Sequence, residues 1–158
     1  MKITVTSRIV RHPDGIASVQ FEARQPVVVV ESLSFFSTGT VVVQVKSPLS
    51  DRVLWFGLGF LISRELSRDI TLIRIQPTLN TSAMYQDVVP ADVFAELELL
   101  CAEAKNFFTQ AVAHHWNCPE RECMVKRGSI QWPAKSLSIG FDDLVDLIAY
   151  KELTVKCA

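Results

Sequence analysis

One segment of this chain, residues 114–123, concentrates the side chains that bind transition metals or act as nucleophiles. It contains two imidazoles and two thiols, namely His114, His115, Cys118 and Cys123. Thiolate and imidazole groups suit a closed tetrahedral zinc site. The two cysteines are separated by four residues, the upper limit of the usual spacing, and a further ligand such as Cys157 would come from far along the chain. We therefore weigh a zinc-stabilised domain against a polar loop with two incidental thiols.

A catalytic role for the same segment requires more groups than the sequence assigns. A thiol nucleophile at Cys118 needs an imidazole as its base and a third group that orients the imidazole. The chain also lacks the Gly-x-Gly-x-x-Gly pattern and the phosphate-binding loop that ends in Gly-Lys-Ser/Thr. These absences favour a non-enzymatic binding protein, with no catalytic residue assigned and with zinc as the one cofactor under consideration.

Two other binding hypotheses follow from the later part of the chain. A small-molecule or enzymatic pocket between the sheet and a helix over residues 90–116 would have polar groups in its wall. Its candidate wall residues are Tyr85, Glu103, His115 and Trp116. The last helix carries an acidic face formed by Asp142, Asp143 and Asp146. That face suits a cation or a basic partner, although acids near a helix N-terminus stabilise the helix by about 0.3–1 kcal/mol each without any ligand.

Length, charge and hydropathy exclude several classes of protein. A chain of 158 residues predicts a single domain over residues 1–158. The formal net charge of −1 argues against nucleic-acid binding, because no overall positive field would hold a polyanion. Residues 53–62 form the most apolar run, which is half the length of a membrane span of about twenty residues. The N-terminus lacks the apolar segment of a secretory signal, which predicts a cytoplasmic protein with reduced cysteines and no membrane contact.

The secondary-structure elements that would hold these candidate site residues in place begin with strands. Ala17, Val19, Phe21 and Ala23 alternate with polar residues, as in a half-buried strand, and the Asp14-Gly15 step before them predicts a hairpin turn. Two valine-rich runs, residues 27–30 and 41–45, flank a turn at residues 37–39 and predict a second hairpin covered on both faces. A further strand is predicted over residues 71–76.

Helices dominate the second half. The clearest is predicted from Pro90 to Trp116, because apolar residues recur at the three- and four-residue spacing of one buried face. A final helix is predicted over residues 141–152, and a short strand over residues 128–132. Residues 53–62 favour a helix, although Gly57 and Gly59 would each cost about 1 kcal/mol in a helix interior.

The order of these elements predicts an α+β fold. A mainly antiparallel sheet from the N-terminal half packs against one long helix and one or two shorter helices. If residues 27–30 or 41–45 lay at a sheet edge, their unpaired backbone would invite a second copy of the chain to extend the sheet. We therefore expect a protein partner, and a homodimer is the preferred assembly.

Overall fold

The computed structural model describes residues 4–24, 30–45, 52–66, 69–77 and 90–150. In chain order the elements are β1 (Val5–Arg11), β2 (Ala17–Ala23), β3 (Val30–Phe36), β4 (Val41–Val45), α1 (Arg52–Leu66), β5 (Ile73–Pro77), α2 (Pro90–Trp116), β6 (Met124–Lys126), β7 (Ser129–Trp132), β8 (Leu137–Gly140) and α3 (Phe141–Tyr150). In these ranges no helix is both long and apolar enough to cross a membrane.

The main sheet has the strand order β1-β2-β3-β4-β5. The pairs from β1 to β4 are antiparallel, and β4 pairs with β5 in parallel. Parallel neighbours need a long crossover connection, and α1 lies in the connection between β4 and β5. The predicted fold class is therefore confirmed, since a mainly antiparallel sheet from the N-terminal half packs with one long helix and two shorter ones within the described residues.

The β1–β2 hairpin turns where the Asp-Gly step predicted it. Gly15 has a φ of +86°, a backbone conformation that glycine adopts without steric cost. The Asp14 carboxylate accepts a hydrogen bond from the Ile16 backbone N–H at 3.1 Å, and the His12 N–H donates to the Ile16 carbonyl at 2.8 Å. The turn, together with the hydrogen bonds between Ala17 and Ser37, fixes the start of β2.

The second hairpin differs from its prediction. β3 covers Val30–Phe36, later than the predicted strand over residues 27–30, of which residues 27–29 lie outside the described part of the chain. Both β3 and β4 are interior strands, because each is paired on both sides. The edge position that would let the valine-rich runs recruit a second copy is therefore not available to β3 or β4.

The core lies between the main sheet and the helices. One face of the sheet contributes Phe21 and Phe35, which meet Phe107 and Phe108 of α2 and Phe141 of α3 with ring centroids 5.0–5.9 Å apart. Most of these pairs are edge-to-face, an arrangement that the quadrupoles of aromatic rings favour. The five rings pack α2 and α3 against the centre of the sheet. They therefore fix the position of α2 and of the segment that follows it.

Residues 53–62 are helical despite their glycines. A Cβ atom at Gly57 would lie 2.8 Å from Cζ of Phe94 on α2, a distance shorter than a normal carbon–carbon contact. The glycine therefore permits close packing of α1 against α2, and the packing offsets the low helix propensity of glycine.

A smaller sheet with the order β6-β7-β8 follows α2. The sequence predicted β7 alone and missed its two short neighbours. Ile130 of β7 is fully buried, and β6 and β7 contact α2. The Phe141 N–H donates to the Gly128 carbonyl at 3.2 Å, which links the start of α3 to the β6–β7 turn. This small sheet is the platform on which the candidate site is built.

Candidate functional site

The site begins where α2 ends. Asn117 has a φ of +54°, the left-handed conformation that commonly follows the last helical residue. The Cys118 N–H donates to the Ala113 carbonyl at 2.9 Å, and the Asn117 N–H donates to the His114 carbonyl at 3.3 Å. These bonds satisfy helix carbonyls that would otherwise lack partners. The chain therefore reverses direction at this point and carries Cys118 out of the helix.

A short turn then returns the chain to Cys118. Residues Glu120–Glu122 form one turn of 3₁₀ helix, and the Cys123 N–H donates to the Glu120 carbonyl at 3.0 Å. The Cys118 and Cys123 sulfur atoms lie 3.4 Å apart, and both residues are half-buried. The fold thus makes a thiol pair from two cysteines that the sequence shows only as neighbours.

The environment of the pair favours the protonated state of Cys123. Burial, the adjacent Cys118 thiol and the carboxylates of Glu122 and Glu120, in that order, raise the pKa of the Cys123 thiol above its ordinary value. A pair of interacting thiols also resists losing both protons, because two adjacent thiolates repel each other. Cys123 is therefore protonated at neutral pH.

Two of the four residues predicted as zinc ligands lie together in the structure. Cys118 and Cys123 are adjacent, whereas His114 and His115 are both exposed on the last turn of α2. Among the residues that the structure describes, no group of three or more His, Cys, Asp or Glu side chains is placed to hold a metal ion. Cys157 lies outside these residues. A four-ligand zinc site therefore stays a prediction.

Two tryptophans lie next to the turn that carries the thiols. The sequence predicted Trp116 only as a wall residue of the pocket between the sheet and α2, and it assigned Trp132 to no site. The rings of Trp116, at the end of α2, and Trp132, at the end of β7, are stacked with centroids 6.3 Å apart and planes 22° apart. The Trp132 indole N–H donates to Glu122 at 2.9 Å. Since Glu122 directly precedes Cys123, this hydrogen bond links the stacked indoles to the turn that carries the thiols.

A cleft lies on the other side of the α2 end, against α3. Its volume is about 500 Å³, within the range of roughly 300–1,000 Å³ typical of ligand sites. Its lining combines an imidazole, two carboxylates, a phenol and two aliphatic side chains: His115, Asp143, Asp146, Tyr150, Ile139 and Leu147. This cleft therefore places His115 and part of the acidic face of the last helix in one site.

The wall of the cleft is tied to the main sheet. The Tyr150 hydroxyl donates to the Gly15 carbonyl at 2.9 Å, and the Arg11 guanidinium donates to the Ala149 carbonyl at 2.7 Å. Both bonds join the last turn of α3 to the β1–β2 hairpin. The Tyr150 ring is consequently held in place while 46% of the residue stays exposed.

Between the main sheet and α2, the described residues form a smaller cavity. A cavity of about 110 Å³ lies there, and its polar lining comes from Ser7, Glu103, Asn106 and Gln110. That volume suits a few water molecules and is below the usual range for organic ligands. Tyr85, another residue of the predicted pocket, lies outside the described part of the chain.

Comparison with known proteins gives a likeness of fold. No protein-family model matches the chain, and the search of curated proteins finds no match. Among solved structures, the crystal structure of quinoline 2-oxidoreductase from Pseudomonas putida 86 is similar, with a TM-score of 0.59 and 15% sequence identity. The similarity covers 94% of this chain and 17% of that chain. At this identity the likeness shows a shared fold and nothing about activity.

Proposed function

We propose that this protein is a non-enzymatic binding domain that takes a short basic and partly apolar segment of a protein partner into the cleft between α2 and α3. The cleft of about 500 Å³, with two exposed carboxylates beside apolar side chains, is the observation that carries the proposal. Arginine and lysine side chains have aliphatic stems and a cationic end, so they match both parts of this lining.

The apolar part of the cleft would supply most of the affinity. Ile139 and Leu147 are half-buried, and the exposed ring of Tyr150 offers a large, preorganised aromatic surface. Tyrosine is enriched at energetically important contacts between proteins, because it buries much area at a small cost in side-chain entropy. A substitution of Leu147 should therefore weaken binding whatever the charge of the partner.

The carboxylates would supply selectivity. Asp143 and Asp146 are three residues apart on α3 and both are exposed. Exposed ion pairs contribute about 0.2–1 kcal/mol each, so two of them distinguish a basic segment from an acidic one without giving high affinity. A cleft of this size also accommodates only a short segment, which favours a weak and reversible contact.

The test uses a short capped peptide with alternating leucine and arginine, and a second peptide with glutamate in place of arginine. Isothermal calorimetry should show tighter binding of the arginine peptide than of the glutamate peptide. The D143N/D146N variant should bind it about three- to tenfold more weakly, from the loss of two exposed ion pairs. The matched control is E22Q/E98Q, which removes two exposed carboxylates outside the cleft. Equal binding of both peptides, or equal weakening in both variants, would contradict the proposal.

Self-association stays a separate prediction. The edges of the main sheet are β1 and β5, and they carry exposed cations at Arg8, Arg11 and Arg74. Charged side chains on an edge strand disfavour pairing with a second copy. A homodimer would therefore have to form through another surface. Native mass spectrometry decides the matter, since a dimer mass at all concentrations supports the homodimer and a monomer at high concentration opposes it.

The likeness of fold supports a second candidate function, that of one component in an oxidoreductase assembly. The chain spans 17% of the quinoline 2-oxidoreductase chain, so this fold occurs there as a small part of a larger protein. The candidate is tested by isolating the tagged chain with its partners at low salt and measuring reduction of an electron-acceptor dye with quinoline. Turnover by the assembly and none by the chain alone would support it, and no turnover by either would oppose it.

A further inference from the structure

We propose that Cys118 and Cys123 form a reversible intramolecular disulfide, which makes the junction between α2 and the small sheet a redox-sensitive site. This inference is independent of the peptide-binding proposal, because it rests on the thiol pair and its tryptophan neighbours instead of the cleft.

The geometry of the pair is close to that of a bond. The sulfur atoms lie 3.4 Å apart, and a disulfide bond is about 2.0 Å long, so each sulfur has to move by less than about 1 Å. The turn between them already brings the chain back on itself through the hydrogen bond from Cys123 to Glu120. Closing the bond therefore requires small side-chain rotations and leaves the fold of the turn in place.

The chemistry needs an oxidant, and a low-molecular-weight disulfide supplies it. One thiol of the pair loses its proton and attacks the external disulfide, which releases one small thiolate and leaves a mixed disulfide on the protein. The second cysteine then loses its proton and displaces the other small thiolate. Two S–H bonds and one external S–S bond are replaced by one protein S–S bond, and the two small thiolates take up the two protons.

The surroundings of the pair provide a built-in reporter. Trp116 precedes Cys118 by two residues and stacks on Trp132, which donates a hydrogen bond to Glu122 beside Cys123. Disulfides quench nearby indole fluorescence by accepting an excited electron, whereas a thiol does so less efficiently. Oxidation of the pair should therefore lower the tryptophan emission of the folded protein, and reduction should restore it.

Cys101 is the internal control for selectivity. It is fully buried on α2, whereas Cys118 and Cys123 are half-buried, so it is protected by lack of access. In the folded chain an alkylating reagent should therefore label the 118–123 pair before Cys101.

The experiment places the reduced chain in glutathione buffers of increasing oxidised fraction and stops exchange with acid. Free thiols are then alkylated with a maleimide at neutral pH in denaturant, and the peptides are mapped by mass spectrometry. We expect a linked Cys118–Cys123 species that loses two hydrogens, together with a fall in tryptophan emission that follows the same titration. In C118S the fall should disappear and Cys123 should instead carry glutathione. The C157S variant, altered outside the described residues, should behave as the unsubstituted chain does.

Three results would overturn the inference. The first is a pair that stays as two alkylatable thiols at the most oxidising ratio, while circular dichroism shows the chain folded. The second is a disulfide that links either cysteine to Cys157 instead. The third is one zinc ion per chain that blocks alkylation of both thiols until a chelator removes it, because the pair would then be a metal site.

Discussion

The three cysteines that the structure describes lie in two contrasting environments, one inside α2 and one just after it. Cys101 lies in the middle of α2, fully buried, in a core that continues to the five phenylalanines. Cys118 and Cys123 lie just past the end of that helix, half-buried and 3.4 Å from each other. The same thiol group is therefore protected in one region and placed for chemistry in the other. Position relative to the helix end therefore decides how accessible each of these thiols is.

The largest expected difference in stability between the two regions concerns their aromatic residues. Phe108 is fully buried and meets four other phenylalanine rings. Phe108→Ala should lower the free energy of unfolding by about 3–5 kcal/mol, because it removes a buried ring and leaves a cavity. Trp116→Ala, at the half-exposed helix end, should cost about 1–2 kcal/mol, mainly from the lost stacking on Trp132. Urea unfolding measures both values. Equal losses of unfolding free energy in the two variants would contradict the expected difference between the two regions.

A smaller effect should follow oxidation of the thiol pair. A disulfide that closes a six-residue loop should raise the free energy of unfolding by about 2 kcal/mol, chiefly by restricting the unfolded chain. For a chain of this size that corresponds to a rise in Tm of roughly 4–8 °C. Calorimetry of the oxidised and reduced forms measures the shift, with C118S as the control that should show none. A lower Tm in the oxidised form would mean that the bond strains the end of α2.

The smallest expected effect concerns a charge pair that joins α1 to α2 near Cys101. The hydrogen bond from Lys105 to Glu65, 3.1 Å long, is the main reason that the pKa of the Glu65 carboxyl is lowered. A lowered pKa in the folded state stabilises the protein above the unfolded pKa, and the stabilisation is lost as the pH falls through the folded pKa. Glu65→Gln should therefore cost about 0.5 kcal/mol at neutral pH, and the cost should disappear as the pH falls through the folded pKa.

Chemical unfolding of E65Q at several pH values measures this dependence. The matched control is Glu98→Gln, which also removes a carboxylate near Arg64 but from a more exposed side chain, 3.9 Å from its partner. A cost for E65Q that does not change with pH would assign the effect to packing instead of charge.

Much of the fold followed from local patterns, and the exceptions have specific physical causes. The apolar spacing of α2 and the Asp14-Gly15 turn predicted those elements because their signals depend on neighbouring residues alone. The two glycines in residues 53–62 argued against the helix that is present, since propensity contains no information about Phe94 on another helix. β6 and β8 have three and four residues and carry little periodicity, so they escaped prediction. β7 is as short as β8, but Pro133 directly after Trp132 marked its end.

Local sequence patterns were enough to predict the fold class, the extent of α2, and the segment in which thiols and imidazoles lie close along the chain. The packing of distant elements was needed to show that Cys118 and Cys123 meet, that His114 and His115 are exposed, and that His115 joins Asp143 and Asp146 around a cleft. Periodicity reports which face of an element is buried, whereas a site depends on which elements meet. That meeting is set by long-range packing of α2, α3 and the small sheet.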